Sequence, residues 1–253
     1  MKIKLSVLII TKNAEETIEA GLRSVIGWVD EIVVVDDYST DDTLKKVKKF
    51  KGLKVIQNRQ ENLGRQRRFG LERCRHDWVL VLDADEVVSD RLRSEIMFKL
   101  QDSNFKSKYD GYFIPFQTHL FGRQLKYGGE NYQKMALFKK KKVKIEPLRV
   151  GENFELLSGR AGQLKNKIFH YSYRSIGQML KKFTAYALLG AKDRIERGEK
   201  TSLKKIFLYP AHMFWARFIK DKGYKDGLFR LPLDLGFAYM EFLMYVRMIF
   251  VKS

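Results

Sequence analysis

Cysteine is almost missing from this chain. The one residue present, Cys74, excludes an internal disulfide framework and any multi-cysteine zinc or iron–sulfur centre, and it fits a reducing compartment. Flanked by Arg73 and Arg75, it reads as a half-buried helix residue rather than a reactive thiolate. Long apolar runs are missing too: no stretch reaches the ~20 residues of a membrane-spanning helix. The N-terminal run Leu5–Ile10 is too short for a signal peptide, and Lys12 interrupts it. The loop after that run has no glycine, no G-x-G-x-x-G follows and no Walker A pattern occurs, which argues against a dinucleotide-binding Rossmann domain and a P-loop nucleotidase.

Acid is scarce relative to base. Forty-nine Lys and Arg against 30 Asp and Glu leave a charge of +19, which favours an anionic partner: a nucleic acid, a phospholipid surface or a phosphorylated substrate. A nucleic-acid-binding protein is the rival class. Against it, Trp28, Trp78 and Trp215 stand in apolar contexts, and no basic recognition helix, RRM or zinc-finger pattern is visible, so no nucleic-acid partner is expected. With 45% hydrophobic residues in 253, the chain can bury a substantial core, most simply in one domain with a C-terminal elaboration.

The first hundred residues alternate strand and helix. Asn13 and Glu16 have capping-box spacing, so a helix is expected from about residue 14, with Ile18, Leu22 and Val25 on one face. Strands are expected at Leu5–Ile10, Ile32–Val35, Val55–Ile56 and Trp78–Leu82, and helices over Leu44–Gly52, Gly64–Arg75 and through Leu92, Ile96 and Leu100. Near-continuous apolar strands in a βαβαβ rhythm predict an α/β fold whose mostly parallel sheet is covered by helices, with ligands at the carboxyl ends of the strands. Short strands with glycines and charges follow from Gly111 to His170, including a hairpin or edge strand through the lysines of Lys139–Lys144. Beyond Ser175 the chain turns helical and aromatic, with a stripe through Ile176, Leu180, Phe183 and Ala187. Later aromatic segments rimmed with Lys and Arg suit in-plane contact with an anionic bilayer surface.

Three apolar strands run into polar loops: Thr11-Lys12-Asn13, Asp36-Asp37 and Asp83-Ala84-Asp85. With so many acids, chance supplies several pairs at a spacing of two, so the last pair gains weight only from its place after the fourth strand. A hard divalent ion takes one or two carboxylates and completes its shell with water and substrate phosphate. Asp85, supported by Asp83, has that form.

These residues carry a resemblance. Leu5–Asn13, Val33–Thr43, Asn62–Arg68 and Trp78–Glu86 resemble, in order, the successive motifs of family 2 glycosyltransferases, and nearly the whole chain resembles the bacterial lipopolysaccharide-core glucosyltransferase-like branch. The resemblance implies a GT-A fold, a nucleoside-diphosphate sugar donor, a divalent metal (Mg²⁺ or Mn²⁺) and inversion at the anomeric carbon. By that resemblance Thr11 and Asp37 line the nucleoside pocket, Arg65 and Arg68 face the nucleotide, Asp83 is the ribose- or metal-proximal acid, and Asp85 is the metal ligand. His170 completes the metal site or touches the diphosphate. Glu152, in Val150-Gly151-Glu152 where the branch has Val-His-Glu, is the candidate general base, with Glu130 second. Where the branch carries an arginine before Leu-Phe, this chain reads Met135-Ala136-Leu137-Phe138, with Lys134 or Lys139 as substitutes for the charge.

The expected division is a catalytic domain over 1–172, in halves 1–100 and 101–172, and a helical extension over 173–253. The expected activity is transfer of a hexose, glucose from UDP-glucose first, to a membrane-associated glycan or glycolipid such as a lipopolysaccharide core. The expected location is the cytoplasmic face of the inner membrane, as a peripheral protein on its anionic surface. A polyprenyl-phosphate sugar transferase is the alternative within the class.

Overall fold

The computed structural model describes residues 4–60, 62–101, 108–145 and 154–250. The chain divides into two compact units: Met1–Phe116 with Gln133–His170, and Gln117–Tyr132 with Tyr171–Ser253.

The first unit is built on strands β1 (Leu5–Thr11), β2 (Glu31–Asp36), β3 (Lys54–Gln57) and β4 (Trp78–Asp83), parallel in the order β3-β2-β1-β4. Two further strands, β6 (Gly111–Leu120) and β8 (Gln133–Lys139), extend this sheet: β8 runs antiparallel to β4 and to β6. Side chains alternate between the faces, and both faces are covered. Val7, Ile9, Val34, Leu80 and Leu82 pack with Ile18, Leu22 and Val25 of helix α1 (Ile18–Val25) and with Leu92, Ile96 and Leu100 of helix α4 (Asp90–Gln101). Leu8, Ile10, Val33, Val35, Val79 and Val81 face the other way, toward Leu71 of helix α3 (Leu63–Arg73) and Cys74. This double burial is why the strands read as unbroken apolar runs. Burial pushes the Cys74 thiol up to about 12, which leaves it inert at neutral pH.

Helix α1 begins at Ile18, later than the Asn13–Glu16 spacing predicts. Asn13 adopts a left-handed backbone (φ 48°), and its side-chain oxygen accepts the Thr40 N–H at 2.8 Å instead of capping a helix. Short residues in this turn thereby tie the loop after β1 to the loop after β2. Helix α2 (Thr43–Val47) is brief, and the lysine run forms one turn, Lys140–Lys142, leading into β9 (Val143–Ile145), which pairs antiparallel with β10 (Phe154–Leu156). Strand β11 (Ala161–Gln163) pairs parallel with β6, and two more strands, β5 (Glu86–Val88) and β12 (Ile168–Tyr173), run antiparallel, with His170 opposite Glu86.

The second unit holds the tight hairpin from the end of β6 into β7 (Arg123–Gln124), where Phe121 and Gly122 both take positive φ, as a two-residue type I′ turn requires. Three helices follow: α5 (Ile176–Glu196), α6 (Leu203–Phe214) and α7 (Leu231–Phe250). Ser175 and Ser202 cap the first two, accepting from the Gln178 and Lys205 backbone N–H. The buried stripe of α5 is Met179, Phe183, Ala187 and Ala191, so Phe183 and Ala187 lie as expected, whereas Ile176 and Leu180 are exposed. Gly236 of α7 leaves room for the Phe183 ring.

Arg230 is fully buried at the entrance to α7. It donates to the Tyr127 carbonyl at 2.8 Å and the Gly128 carbonyl at 3.0 Å, and it pairs with Asp234 at 2.7 Å. Gly128 has φ +66°, and a Cβ there would run into that guanidinium. Gly128→Ala is therefore expected to cost about 2–3 kcal/mol, combining left-handed strain with displacement of a buried charge. Gly177→Ala, at an open position in the first turn of α5, should stabilise by about 0.5 kcal/mol. Urea midpoints at unchanged m-value measure both.

Candidate active site at the carboxyl ends of the strands

Register brings the polar loop residues of the first unit side by side. Thr11 of β1 lies opposite Asp36 of β2, and Ile10 opposite Asp83 of β4, so the ends of β2, β1 and β4 form one continuous edge. Asp36 is fully buried and structural: its Oδ2 accepts the Ser39 N–H at 3.0 Å and the Gln57 amide at 3.3 Å. Asp37 reaches outward between Lys12 Nζ at 2.7 Å and Arg59 Nε at 2.6 Å. Burial raises its carboxyl, but the hydrogen bonds from Lys12 and Arg59 outweigh that and hold it below the ordinary carboxylate range. Thr11 is buried, and its hydroxyl has no hydrogen-bond partner among the described residues. A buried hydroxyl at a strand end invites an exogenous partner, because leaving it unpaired is costly.

Asp83 sits at the tip of β4, held by Arg67 Nη2 at 2.7 Å with Lys134 Nζ at 3.7 Å. Burial pushes its carboxyl up, but the Arg67 guanidinium and then the Lys134 ammonium outweigh burial, so it stays charged far below the usual range. Glu86 is buried below it and accepts the Asp83 N–H at 2.8 Å. Burial holds its carboxyl above the ordinary value, although Lys134 at 3.5 Å works against this. The turn between them is closely backed by α1, where a Cβ on Gly21 would lie 3.0 Å from the Glu86 carbonyl oxygen.

Asp85 projects from that turn and meets His170, with 3.4 Å between Oδ1 and Nε2. The β5–β12 ladder places the histidine there, 85 positions along the chain, and the Phe116 ring packs edge-on against it. Among the described residues, no group of three or more His, Cys, Asp and Glu is placed to hold a metal ion. Two protein ligands nevertheless fit an ion that completes its shell from phosphate and water.

Thr11, Asp37, Asp83, Asp85 and His170 thus all belong to this edge and the turn beside it. Arg65 and Arg68 lie on the exposed side of α3; Arg68 donates to the Ile145 carbonyl at 3.1 Å, and the Arg65 backbone N–H is capped by Asn62. Glu152 falls outside the described residues. Glu130 belongs to the second unit, where it is buried between Arg217 and Arg230; burial raises its carboxyl, with both guanidiniums opposing. Arg67, at 2% exposure, is the site residue that sequence inspection passes over. Its signal was spacing: Gly64, Arg67 and Leu71 fall on one helical stripe, and that stripe is the buried face of α3.

The family described as Glycosyl transferase family 2 matches residues 6–151. A glycosyltransferase of Rickettsia typhi is 28% identical, covering 97% of this chain and 86% of that protein. The lipopolysaccharide core biosynthesis glycosyltransferase LpsC of Rhizobium meliloti is 23% identical, with 90% and 85% covered. Among solved structures, Staphylococcus aureus TarS, residues 1–349, in complex with UDP-GlcNAc, has a TM-score of 0.50 at 16% identity, with 97% and 90% covered. The fold is accordingly of the GT-A kind.

Arg67→Met is expected to destabilise the protein by about 2–3 kcal/mol at neutral pH, less than breaking a fully buried pair because Asp83 keeps Lys134 and some solvent. The depressed Asp83 carboxyl contributes stability that is complete above its unfolded value of about 3.9 and is lost as pH falls toward the folded value. The gap between wild type and variant should therefore narrow below about pH 4. Denaturant melts across that range check it.

Proposed function

The chain belongs to glycosyl transferase family 2, and on that premise we propose an inverting, metal-dependent enzyme that moves a hexose, glucose from UDP-glucose, onto a membrane-associated glycan such as a lipopolysaccharide core. Residues 1–172 form its catalytic domain and 173–253 its helical extension. It works as a peripheral protein on the cytoplasmic face of the inner membrane. The observation that carries the reading is the Asp85–His170 pair beside an Asp83 kept ionised by Arg67. LpsC, a lipopolysaccharide-core enzyme by name, supports the acceptor class, and the UDP-GlcNAc complex of TarS supports a UDP-sugar donor.

Asp37, oriented by Lys12 and Arg59, holds the nucleoside by accepting from base or ribose, and the Thr11 hydroxyl supplies a further polar contact beside it. Arg65 and Arg68, on the exposed side of α3, offer positive charge to the nucleotide. Asp83 accepts from the ribose or supports the metal-binding turn, and its pairing with Arg67 fixes its orientation. Asp85 and His170 are the residues that would hold Mg²⁺ or Mn²⁺. When bound, such an ion supplies Lewis-acid stabilisation of charge on the departing diphosphate. Glu152 takes the proton of the acceptor hydroxyl.

A panel of nucleotide sugars tested with Mn²⁺ or Mg²⁺ decides the reading. UDP-glucose should be hydrolysed slowly without acceptor and transferred with it. Asp85→Asn should lower kcat/KM by about a hundredfold or more, and a chelator should have a similar effect. No metal-dependent response to any donor would sink the proposal, and full transfer by both Glu152→Gln and Glu130→Gln would favour a phosphate acceptor, which needs no base.

A further inference from the structure

In the second unit, the helix Leu203–Phe214 rests on α7 through its buried Ile206, and its opposite side is unlike an ordinary solvent face. Leu203 is 72% exposed, Phe207 67% and Trp215 49%, with Leu208 and Ile219 also out in solvent and Leu228, at 80%, beyond them. Helical spacing puts Leu203, Phe207 and Leu208 on one side of the helix with Lys204 among them, and Trp215 opens the wider turn that follows its end. A cluster of exposed large apolar side chains interspersed with lysine marks an interaction site.

Its rim is basic. From Ser202 to Leu228 the chain carries Lys204, Lys205, Arg217, Lys220, Lys222 and Lys225 against Asp221 and Asp226. Asp226 is turned inward, accepting the Lys126 and Tyr127 backbone N–H and pairing with Arg230. Lys204, Lys220, Lys222 and Lys225 are exposed. No described helix is long and apolar enough to cross a membrane, so contact with a bilayer has to be in its plane. Two-fold pairing of this surface with a second copy would set the same lysines against each other, which disfavours self-association.

We propose that the outer face of α6, with the turns that follow it to Leu228, docks in-plane on an anionic phospholipid surface. The apolar side chains enter the headgroup–acyl boundary, Trp215 sits at its level, and the lysines extend along it to lipid phosphates. This rests on the membrane-acceptor reading for its purpose, and on the observed surface for its location.

The test uses the full chain with phosphatidylcholine vesicles, with and without phosphatidylglycerol, read by flotation and tryptophan emission. Trp28 and Trp78 are buried, so a blue shift on binding reports Trp215. Anionic vesicles should bind about tenfold or more tightly than neutral ones, and salt should weaken the contact. Phe207→Ser with Leu208→Ser, and Lys204→Glu with Lys220→Glu and Lys222→Glu, should each lose about tenfold or more in vesicle binding while keeping the wild-type melting temperature and donor hydrolysis. Phe98→Ser, which removes an exposed apolar side chain from the first unit, should bind as wild type. Vesicle binding by either variant set equal to that of the wild type, absence of the blue shift, or loss of a dimer at unchanged vesicle binding would each overturn the proposal. Docking that persists in a protein inactive on every donor would support this surface and count against the transferase alone.

Discussion

A guanidinium that cannot reach bulk water, Arg67 beside Asp83, is the constraint on which the site depends. Helix α3 buries that arginine among residues that face the sheet, so its charge must be answered within the fold. Asp83, at the tip of β4, answers it and in return is kept ionised. That fixes the end of the strand, and with it the turn that projects Asp85. Lys134 and buried Glu86 extend the same network from below. A turn that projects a carboxylate outward must also keep its own backbone groups satisfied, and a rigid base of paired charges achieves both.

The second unit uses the same device. Arg230 is buried between Asp226, Asp234 and the carbonyls of Tyr127 and Gly128, so a loop remote in sequence is tied to the start of α7. Glu130 shares this network through Arg217. A carboxylate held by two guanidiniums serves order first. The cost of burying charge offsets much of the attraction in such pairs, whereas removing one partner leaves an uncompensated buried charge. By contrast, Lys12 and Arg59 meet Asp37 from the solvent side, where water weakens such pairs.

Much of the first unit was legible as text. The three apolar strands β1, β2 and β4 lie where their runs put them, because residues buried on both faces leave an unbroken signature, and the stripe of α4 lies where periodicity puts it. Local rules failed where a distant partner outbid them. Asn13 had capping-box spacing, yet Thr40 claims its side chain and α1 starts later. On α5 the expected Phe183 and Ala187 are buried, but Met179 and Ala191 complete the stripe while Ile176 and Leu180 face outward.

By itself the sequence determined the alternation of strand and helix, and with it the edge on which Thr11, Asp37 and Asp83 must stand, since parallel strands end together. Only the tertiary structure decided which charges meet. The antiparallel ladder brings His170 to Asp85, and the burial of one face of α3 selects Arg67 over Arg65 and Arg68 as the partner of Asp83. Periodicity is carried by neighbours in the chain and can be read from them, whereas the pairing of buried charges follows from packing between elements far apart in the chain.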